Sequence, residues 1–423
     1  MNILMLARWL PMPRRREEAR REYRFARRLL DRHRVTLAFT TGDTDVVGPV
    51  AALRAEFGDL EFAVLPRTWR NLSTAMHVVT GQSRSISSFR SEALRTRLAH
   101  RLAAGHFDLV YVSSSSMMPY AVELDPRLPV VVDFGEVDSE WWAQQSTTRA
   151  FPAANFCQTE ATRLRLAEAA AAKRAVHCIV ASPEAARALA ARVPEAAITV
   201  IPNGVDQDHF APLPQPSSNG TVAIVGWLEN AESVEALARF CLTAVPAVRA
   251  ARPDLGFVVA SRHAPVTVRR LAEIAGIEIV APLDDVRPLL QQATLAAAPL
   301  PRGRRSADGV IEAMLMGLPV VATSSAVHGL GAVSGRDLFV QDNPSAFAHE
   351  AIHLLASPVL RAELATRGQA FARAGHSWEA STSRLAELIE APARQHKPPQ
   401  PLPIQPTPGP QLSASAKAQA VRR

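Results

Sequence analysis

The residues that can do chemistry in this chain are anion binders and hydroxyl binders rather than nucleophiles. Asp133, Glu136 and Asp138 follow the apolar run Val130–Val132, which places three carboxylates near a strand end. There they can accept hydrogen bonds from substrate hydroxyls, or cap the helix that follows. Arg262 comes just after the apolar segment Phe257–Ala260. A guanidinium at such a place can pair bidentately with phosphate oxygens, and a solvated loop arginine fits the same pattern. Arg302-Gly303-Arg304-Arg305 precedes Asp308 and Gly309, which open a helical run containing Glu312. The free N–H groups and positive dipole of a helix N-terminus suit a diphosphate. Cys157, Cys178 and Cys241 share no metal-type or redox-type spacing, and their odd number argues against a disulfide framework. No G-x-G-x-x-G follows the first strand, which disfavours a dinucleotide oxidoreductase.

The elements that must hold these residues are legible as alternating apolar strands and helices. Asn2–Ala7 and Val35–Thr40 read as buried strands, and Ala19, Tyr23, Ala26, Leu30 and His33 recur between them at helical spacing. Strands are expected at Glu61–Leu65, Leu109–Val112, Val130–Asp133, His177–Ala181 and Ile198–Ile201, with helices at Ser91–Ala104 and Thr159–Ala175. Ser182-Pro183-Glu184 supplies an N-cap, a first-turn proline and a first-turn acid. The alternation breaks at Ala211–Gly220, rich in Pro, Ser and Gly, which reads as a linker. It restarts with strands at Thr221–Val225, Gly256–Ala260, Glu278–Val280, Leu295–Ala298, Pro319–Ala322 and Leu338–Val340. The intervening helices are Ser233–Ala251, Val266–Ala275, Val286–Gln292 and Gly309–Met316, and Pro344–Ala374 reads as helical throughout. The expectation is two doubly wound parallel sheets, with ligands beyond the carboxyl ends of their strands.

A length of 423 residues, 48% of them apolar, accommodates two cores and a tail. The formal charge is +7, but Arg394, Lys397, Lys417, Arg422 and Arg423 leave only +2 on the rest. The folded part is near neutral, so no nucleic-acid partner is expected. From about Pro392 the chain is too proline-dense for a packed core and reads as a disordered tail. The apolar start Asn2–Leu6 is too short for a signal peptide, and no apolar run is long enough to span a membrane. A cytoplasmic location is expected.

Several strings resemble family 4 glycosyltransferases of the GT-B fold. Pro202-Asn203-Gly204-Val205-Asp206, with Phe210 beyond, is similar to that family's hinge between two Rossmann-like halves. Asn-Gly after a strand also predicts a tight turn with positive φ at the glycine. Gly309–Thr323 (GVIEAMLMGLPVVAT) resembles the family's donor-site helix and strand. Val225-Gly226, Gly335–Val340 (GRDLFV) and His376-Ser377-Trp378-Glu379 agree with further family positions. The resemblance implies that Glu312 binds the donor ribose, that Gly226 lies beside its phosphates and that Arg262 lies near the diphosphate. It implies domains at 1–204 (acceptor side) and 205–375 (nucleotide-sugar donor side), a helix at about 376–390 returning to the first domain, and a tail at 391–423. Leu10-Pro11-Met12-Pro13, Phe89-Arg90-Ser91 and Val132–Trp141 resemble the exopolysaccharide-associated sugar transferases that accompany PEP-CTERM and exosortase systems.

The match is incomplete. The loop Arg14-Arg15-Arg16-Glu17-Glu18-Ala19 lacks the glycine usual in relatives, and its residues would crowd a ligand or turn helical. Asp308-Gly309 stand where the subgroup often has Asn-Lys, and Arg304 stands at the first acid of the family's E-x7-E pair. Arg304 or Arg305 can replace the missing cation. The activity implied is transfer of a sugar from a nucleotide-diphosphate sugar to a glycan or lipid-linked acceptor, with retention and without a metal cofactor; the alternative is a catalytically degenerate scaffold. Asp43-Thr44-Asp45 is a D-x-D outside the fold in which that motif binds Mn²⁺. Trp141-Trp142 can stack on a sugar or pack a helix, and His209 and His328 suit structural roles. The arginine-rich first helix, expected to turn a basic face outward, can hold an anionic membrane surface at the inner face of the plasma membrane. Internal Glu–Arg pairing is the competing reading.

Overall fold

A computed structural model describes residues 1–12, 17–42, 46–65, 68, 81–105, 107–123, 127–211, 220–226, 228, 231–260, 266–280, 285–299 and 307–395. The first sheet contains β1 (Asn2–Ala7), β2 (Arg34–Thr41), β3 (Leu60–Val64), β4 (Leu109–Ser113), β5 (Val130–Gly135), β6 (His177–Val180) and β7 (Ile198–Val200). Its helices are α1 (Glu17–Leu30), α2 (Val47–Phe57), α3 (Arg84–Ser87), α4 (Glu92–Ala104), α5 (Met118–Val122), α6 (Asp138–Thr148), α7 (Ala153–Arg174) and α8 (Pro183–Ala190). The second sheet contains β8 (Thr221–Ile224), β9 (Gly256–Ala260), β10 (Glu278–Val280), β11 (Ala293–Ala298), β12 (Val320–Ala322) and β13 (Phe339–Val340). With it go α9 (Ala231–Ala251), α10 (Val266–Ala275), α11 (Arg287–Gln292), α12 (Asp308–Leu315), α13 (Pro344–Ala356) and α14 (Pro358–Gly375), and α15 (Trp378–Gln395) follows.

Strand order is β3-β2-β1-β4-β5-β6-β7 in the first sheet and β10-β9-β8-β11-β12-β13 in the second, all pairs parallel. Both orders reverse direction once, between β1 and β4 and between β8 and β11. Ligands of open α/β sheets bind outside the carboxyl ends of the strands at such points. Each sheet is covered on both faces, which explains its continuous apolar strands. In β1, Ile3, Met5 and Ala7 enter one core while Leu4 and Leu6 enter the other. In β8, Val222 and Ile224 face one core of the second sheet and Ala223 the opposite one.

The last helix belongs to the first sheet. Trp378, Leu385 and Ile389 of α15 lie in the same core as Phe25 and Leu29 of α1. Fully burying side chains of this size stabilises the docking by roughly 1.5–3 kcal/mol each. The single helical run expected at Pro344–Ala374 is two helices. Ser357 leaves helical geometry, and its side chain accepts from the Leu360 amide to start α14 with Pro358 at its first position.

Candidate functional site

At the switch point of the second sheet, the amide of Val225 donates to the Ala297 carbonyl at 2.8 Å, which ties the end of β8 to β11. Gly226 then turns away at φ 134°, a conformation in which a side chain is strained. A Cβ placed on Gly309, at the start of α12, would lie 3.5 Å from the Gly226 nitrogen and 3.5 Å from Val225 Cβ. The β8 end and the N-terminus of α12 therefore lie in ordinary van der Waals reach of one another, and glycine is favoured by backbone conformation at 226. Asp308 is buried in the first turn of α12, and Glu312 is half-buried one turn later. Gly226, Gly309, Asp308 and Glu312 are thus gathered by two adjoining elements. Arg262, Arg304 and Arg305 lie outside the described residues, as do Arg14–Arg16 and the D-x-D at Asp43–Asp45. The Pro-rich tail from Lys397 does too.

At the first sheet's switch point lies a buried polar network. Asp133, 3% exposed, lies in β5 two residues before its end. Its Oδ2 accepts from Arg21 Nε at 2.8 Å and Tyr111 OH at 2.6 Å, and its Oδ1 from Arg21 Nη2 at 3.1 Å and the Gly135 amide at 2.9 Å. Burial first, then the Asp133 charge, holds the Tyr111 hydroxyl well above its ordinary pKa, so Tyr111 remains a donor. Glu22, next along α1, accepts from the Arg8 amide at 2.9 Å and Ser113 Oγ at 2.6 Å. Arg8 Nη1 in turn reaches Asp138 Oδ2 at 3.0 Å.

Beyond β4, Ser114 has φ 73° and ψ 143°, the single positive-φ residue other than glycine among those described. Its amide donates to the Asp133 carbonyl at 2.7 Å. Backbone held in such a region costs on the order of 1–3 kcal/mol and tends to gather at functional sites.

The three acids therefore have distinct surroundings. Asp133 is enclosed by Arg21 and Tyr111. Glu136 is half-buried and accepts from Ser182 Oγ at 3.0 Å, the same oxygen that caps α8 by accepting from the Ala185 amide. Asp138 opens α6 and pairs with Arg8. Behind them, fully buried Glu168 of α7 accepts from the Ser139 amide at 2.9 Å and from Arg192 at 3.0 Å. Trp141 and Trp142 pack edge to face at 4.9 Å, and Trp142 continues onto Phe156 at 5.8 Å. Arg21, Glu22, Tyr111 and Ser114 were not among the candidate residues read from the sequence. Adjacent opposite charges at positions 21 and 22, on the inward side of α1, were the available signal.

The glycine of the hinge string does not have the positive φ expected of it. Its role is close approach: a Cβ on Gly204 would fall 2.2 Å from the Trp378 amide nitrogen. Described arginines of α1, and Arg32 in the turn after it, have acidic partners at the surface. Arg24 pairs with Asp206 at 3.3 Å, Arg27 with Asp31 at 2.9 Å, Arg28 with Asp31 at 3.3 Å and Arg32 with Glu390 at 3.3 Å. No described helix is long and apolar enough to cross a membrane, and no described group of His, Cys, Asp or Glu has metal-site geometry.

Comparison with known proteins agrees with this architecture. Residues 19–209 match the model of Glycosyltransferase Family 4, and residues 219–357 match Glycosyl transferases group 1. The chain is 26% identical over 214 residues to a GDP-mannose-dependent monoacylated alpha-(1-6)-phosphatidylinositol monomannoside mannosyltransferase of Corynebacterium glutamicum. That alignment covers 46% of this chain and 56% of the relative, so the chain matches only about half the length of that enzyme. Among solved structures, sucrose-phosphate synthase from Thermosynechococcus elongatus superposes with a TM-score of 0.66 at 15% identity, over 93% of this chain and 100% of the other. Anabaena HepE in complex with UDP gives 0.61 at 17% identity, over 92% and 100%. With two Rossmann-like sheets, a returning final helix and these two successive matches, the chain has the GT-B fold and carries a glycosyltransferase family 4 domain followed by a glycosyl transferases group 1 domain.

Proposed function

We propose that the chain transfers a sugar from a nucleotide-diphosphate sugar to a glycan or lipid-linked acceptor with retention of configuration, in exopolysaccharide or cell-surface glycan synthesis of the PEP-CTERM and exosortase type. The observation that carries the reading is the adjacency of Gly226 and Gly309 at the second switch point. A diphosphate seated there meets backbone N–H groups and the positive end of α12, with Glu312 one turn away for a ribose diol. Arg262 and Arg304 or Arg305 would add cationic charge. The leaving diphosphate then takes the proton of the incoming hydroxyl on the same face of the sugar, so the protein supplies positioning and charge stabilisation and no metal is required. The acceptor approaches from the side of Glu136 and Asp138, and the enzyme works at the inner face of the plasma membrane.

A second reading, a degenerate relative acting as a scaffold, is favoured by one observation. Helix α1 begins at Glu17, within the glycine-free segment, and its Glu22 takes the Arg8 amide and the Ser113 hydroxyl. Protein groups thereby fill the first switch point. Calorimetric titration with UDP, GDP and their sugar conjugates separates the two readings. Binding abolished by Glu312→Ala supports the transferase, and a folded protein that binds none of them is the scaffold.

A further inference from the structure

We propose that Arg21 is a positioning residue for the interdomain hinge: its guanidinium fastens Asn203 to Asp133, so the hinge moves with the end of β5. The inference rests on the transferase reading for its catalytic meaning, and on geometry for the clamp itself.

Arg21 is buried, and its planar fork is divided between two partners. Nε and Nη2 hold the Asp133 carboxylate, and Nη1 donates to Asn203 Oδ1 at 2.9 Å. The anion at the root of the clamp is fixed by Tyr111 and by the Gly135 amide. A lysine ammonium has no such fork and cannot reproduce the three-point arrangement.

The opposite side of the hinge is held as well. The Arg21 guanidinium lies 4.4 Å from the Phe25 ring centroid, and Phe25 meets Trp378 edge to face at 6.3 Å. The Trp378 backbone closes on Gly204, and Ser381 Oγ donates to the Pro202 carbonyl at 2.8 Å. One residue further the attachment changes. Val205 is bridged to Ser377, its amide donates to the His376 carbonyl at 2.9 Å, and Val205 and Phe210 belong to a core of the second sheet. The chain therefore passes from one body to the other between Asn203 and Val205. Arg21 grips the last residue on the first side. Through β5 the same guanidinium is connected to Glu136, just beyond the strand, and to Asp138 at the start of α6. A change of hinge angle is thus felt at the acceptor-side acids.

The test uses the full chain and two hinge variants that spare the Arg21–Asp133 pair. Asn203→Ala removes the carbonyl oxygen, and Asn203→Asp retains an acceptor oxygen. Hydrogen exchange over residues 202–206 and the radius of gyration with saturating UDP or GDP are measured for each. Losing a hydrogen bond from a charged donor corresponds to about tenfold faster local opening. Asn203→Ala is expected to show that increase and to lose nucleotide-induced contraction, with nucleotide affinity changed by less than about twofold, within the scatter of single contacts. Asn203→Asp is expected to restore both. Unchanged exchange in Asn203→Ala, or no rescue by Asn203→Asp, overturns the proposal. A wild-type protein that binds neither nucleotide defeats the transferase reading, while the exchange measurement still decides the clamp.

Discussion

Gly204 and Trp378 are separated by 174 positions in the chain, yet their backbones meet so closely that no side chain fits at residue 204. The contact joins the hinge string to the start of α15, two segments distant in sequence that each resemble the same family. It explains why a glycine stands at 204 although its φ is not left-handed.

Gly204→Ala is accordingly expected to destabilise the chain by about 1–3 kcal/mol, the usual cost of overpacking. Gly105→Ala is the control, because nothing lies within 4 Å of a Cβ at residue 105. Thermal melts should show a lower Tm for the first variant only. Equal melting of both would mean that the hinge and α15 separate freely.

Gly226→Ala tests the donor side through backbone conformation rather than charge. A residue with a Cβ is strained at φ 134°, and relaxing that strain moves the β8 end relative to α12. The expected result is a loss of nucleotide binding of about tenfold or more, with a lower Tm on the scale of about 1–3 kcal/mol of backbone strain. Titration calorimetry alongside Glu312→Ala checks it.

The Arg8–Asp138 pair has both side chains largely out of solvent, at 8% and 13% exposure. Removing one partner takes an ion-pair and hydrogen-bond contact from the other, and breaking a buried pair costs up to about 3–5 kcal/mol. Arg8→Met and Asp138→Asn are each expected to destabilise by more than the double variant does. A double-mutant cycle in urea measures the coupling, and additive costs would show that the pair contributes nothing.

Two groups give opposite pH dependences. Burial, with the Asp138 charge adding to it, pushes Glu168 up to about 7 against the hydrogen bonds of Ser139 and the charge of Arg192. A raised carboxyl pKa means that the folded state binds the proton more tightly. Its stabilisation is complete below the ordinary carboxylate range and is lost as pH rises through about 7. Burial lowers the pKa of His376, partly offset by the carbonyls of Asn203 and Leu330, so its contribution is present above the usual histidine range and lost as pH falls. Melts between pH 5 and 8 should show Glu168→Gln flattening the alkaline decline and His376→Gln flattening the acid one. An unaltered slope in either variant contradicts the assignment to that residue.

The strands were legible because a parallel sheet covered on both faces leaves unbroken apolar runs. Asn2–Ala7 and Glu278–Val280 emerge with the bounds expected. Helix α2 was missed: its buried residues Val50, Leu53 and Phe57 have helical spacing, but Gly48-Pro49 opens it and alanines dilute the stripe. Helix α6 was missed for a different reason, since its polar sequence is stabilised by packing against α7. Gly226, and Gly309 with Glu312, are legible as candidates because each lies in a short local string, Val225-Gly226 and Gly309–Thr323. Arg21 was not, because its partners Asp133 and Asn203 come from strands distant in sequence, and only the folded topology brings them together.

The bridge between Val205 and Ser377 has an engineering consequence. Residues 206–376 leave and rejoin the first domain at adjacent points, so the second domain is in effect an insert within the first. Truncation near residue 204 would strip the first domain of α15 and expose Phe25 and Leu29. Exchange of the insert between the two bridged positions leaves that core whole, which makes the second domain a replaceable cassette and the first its scaffold.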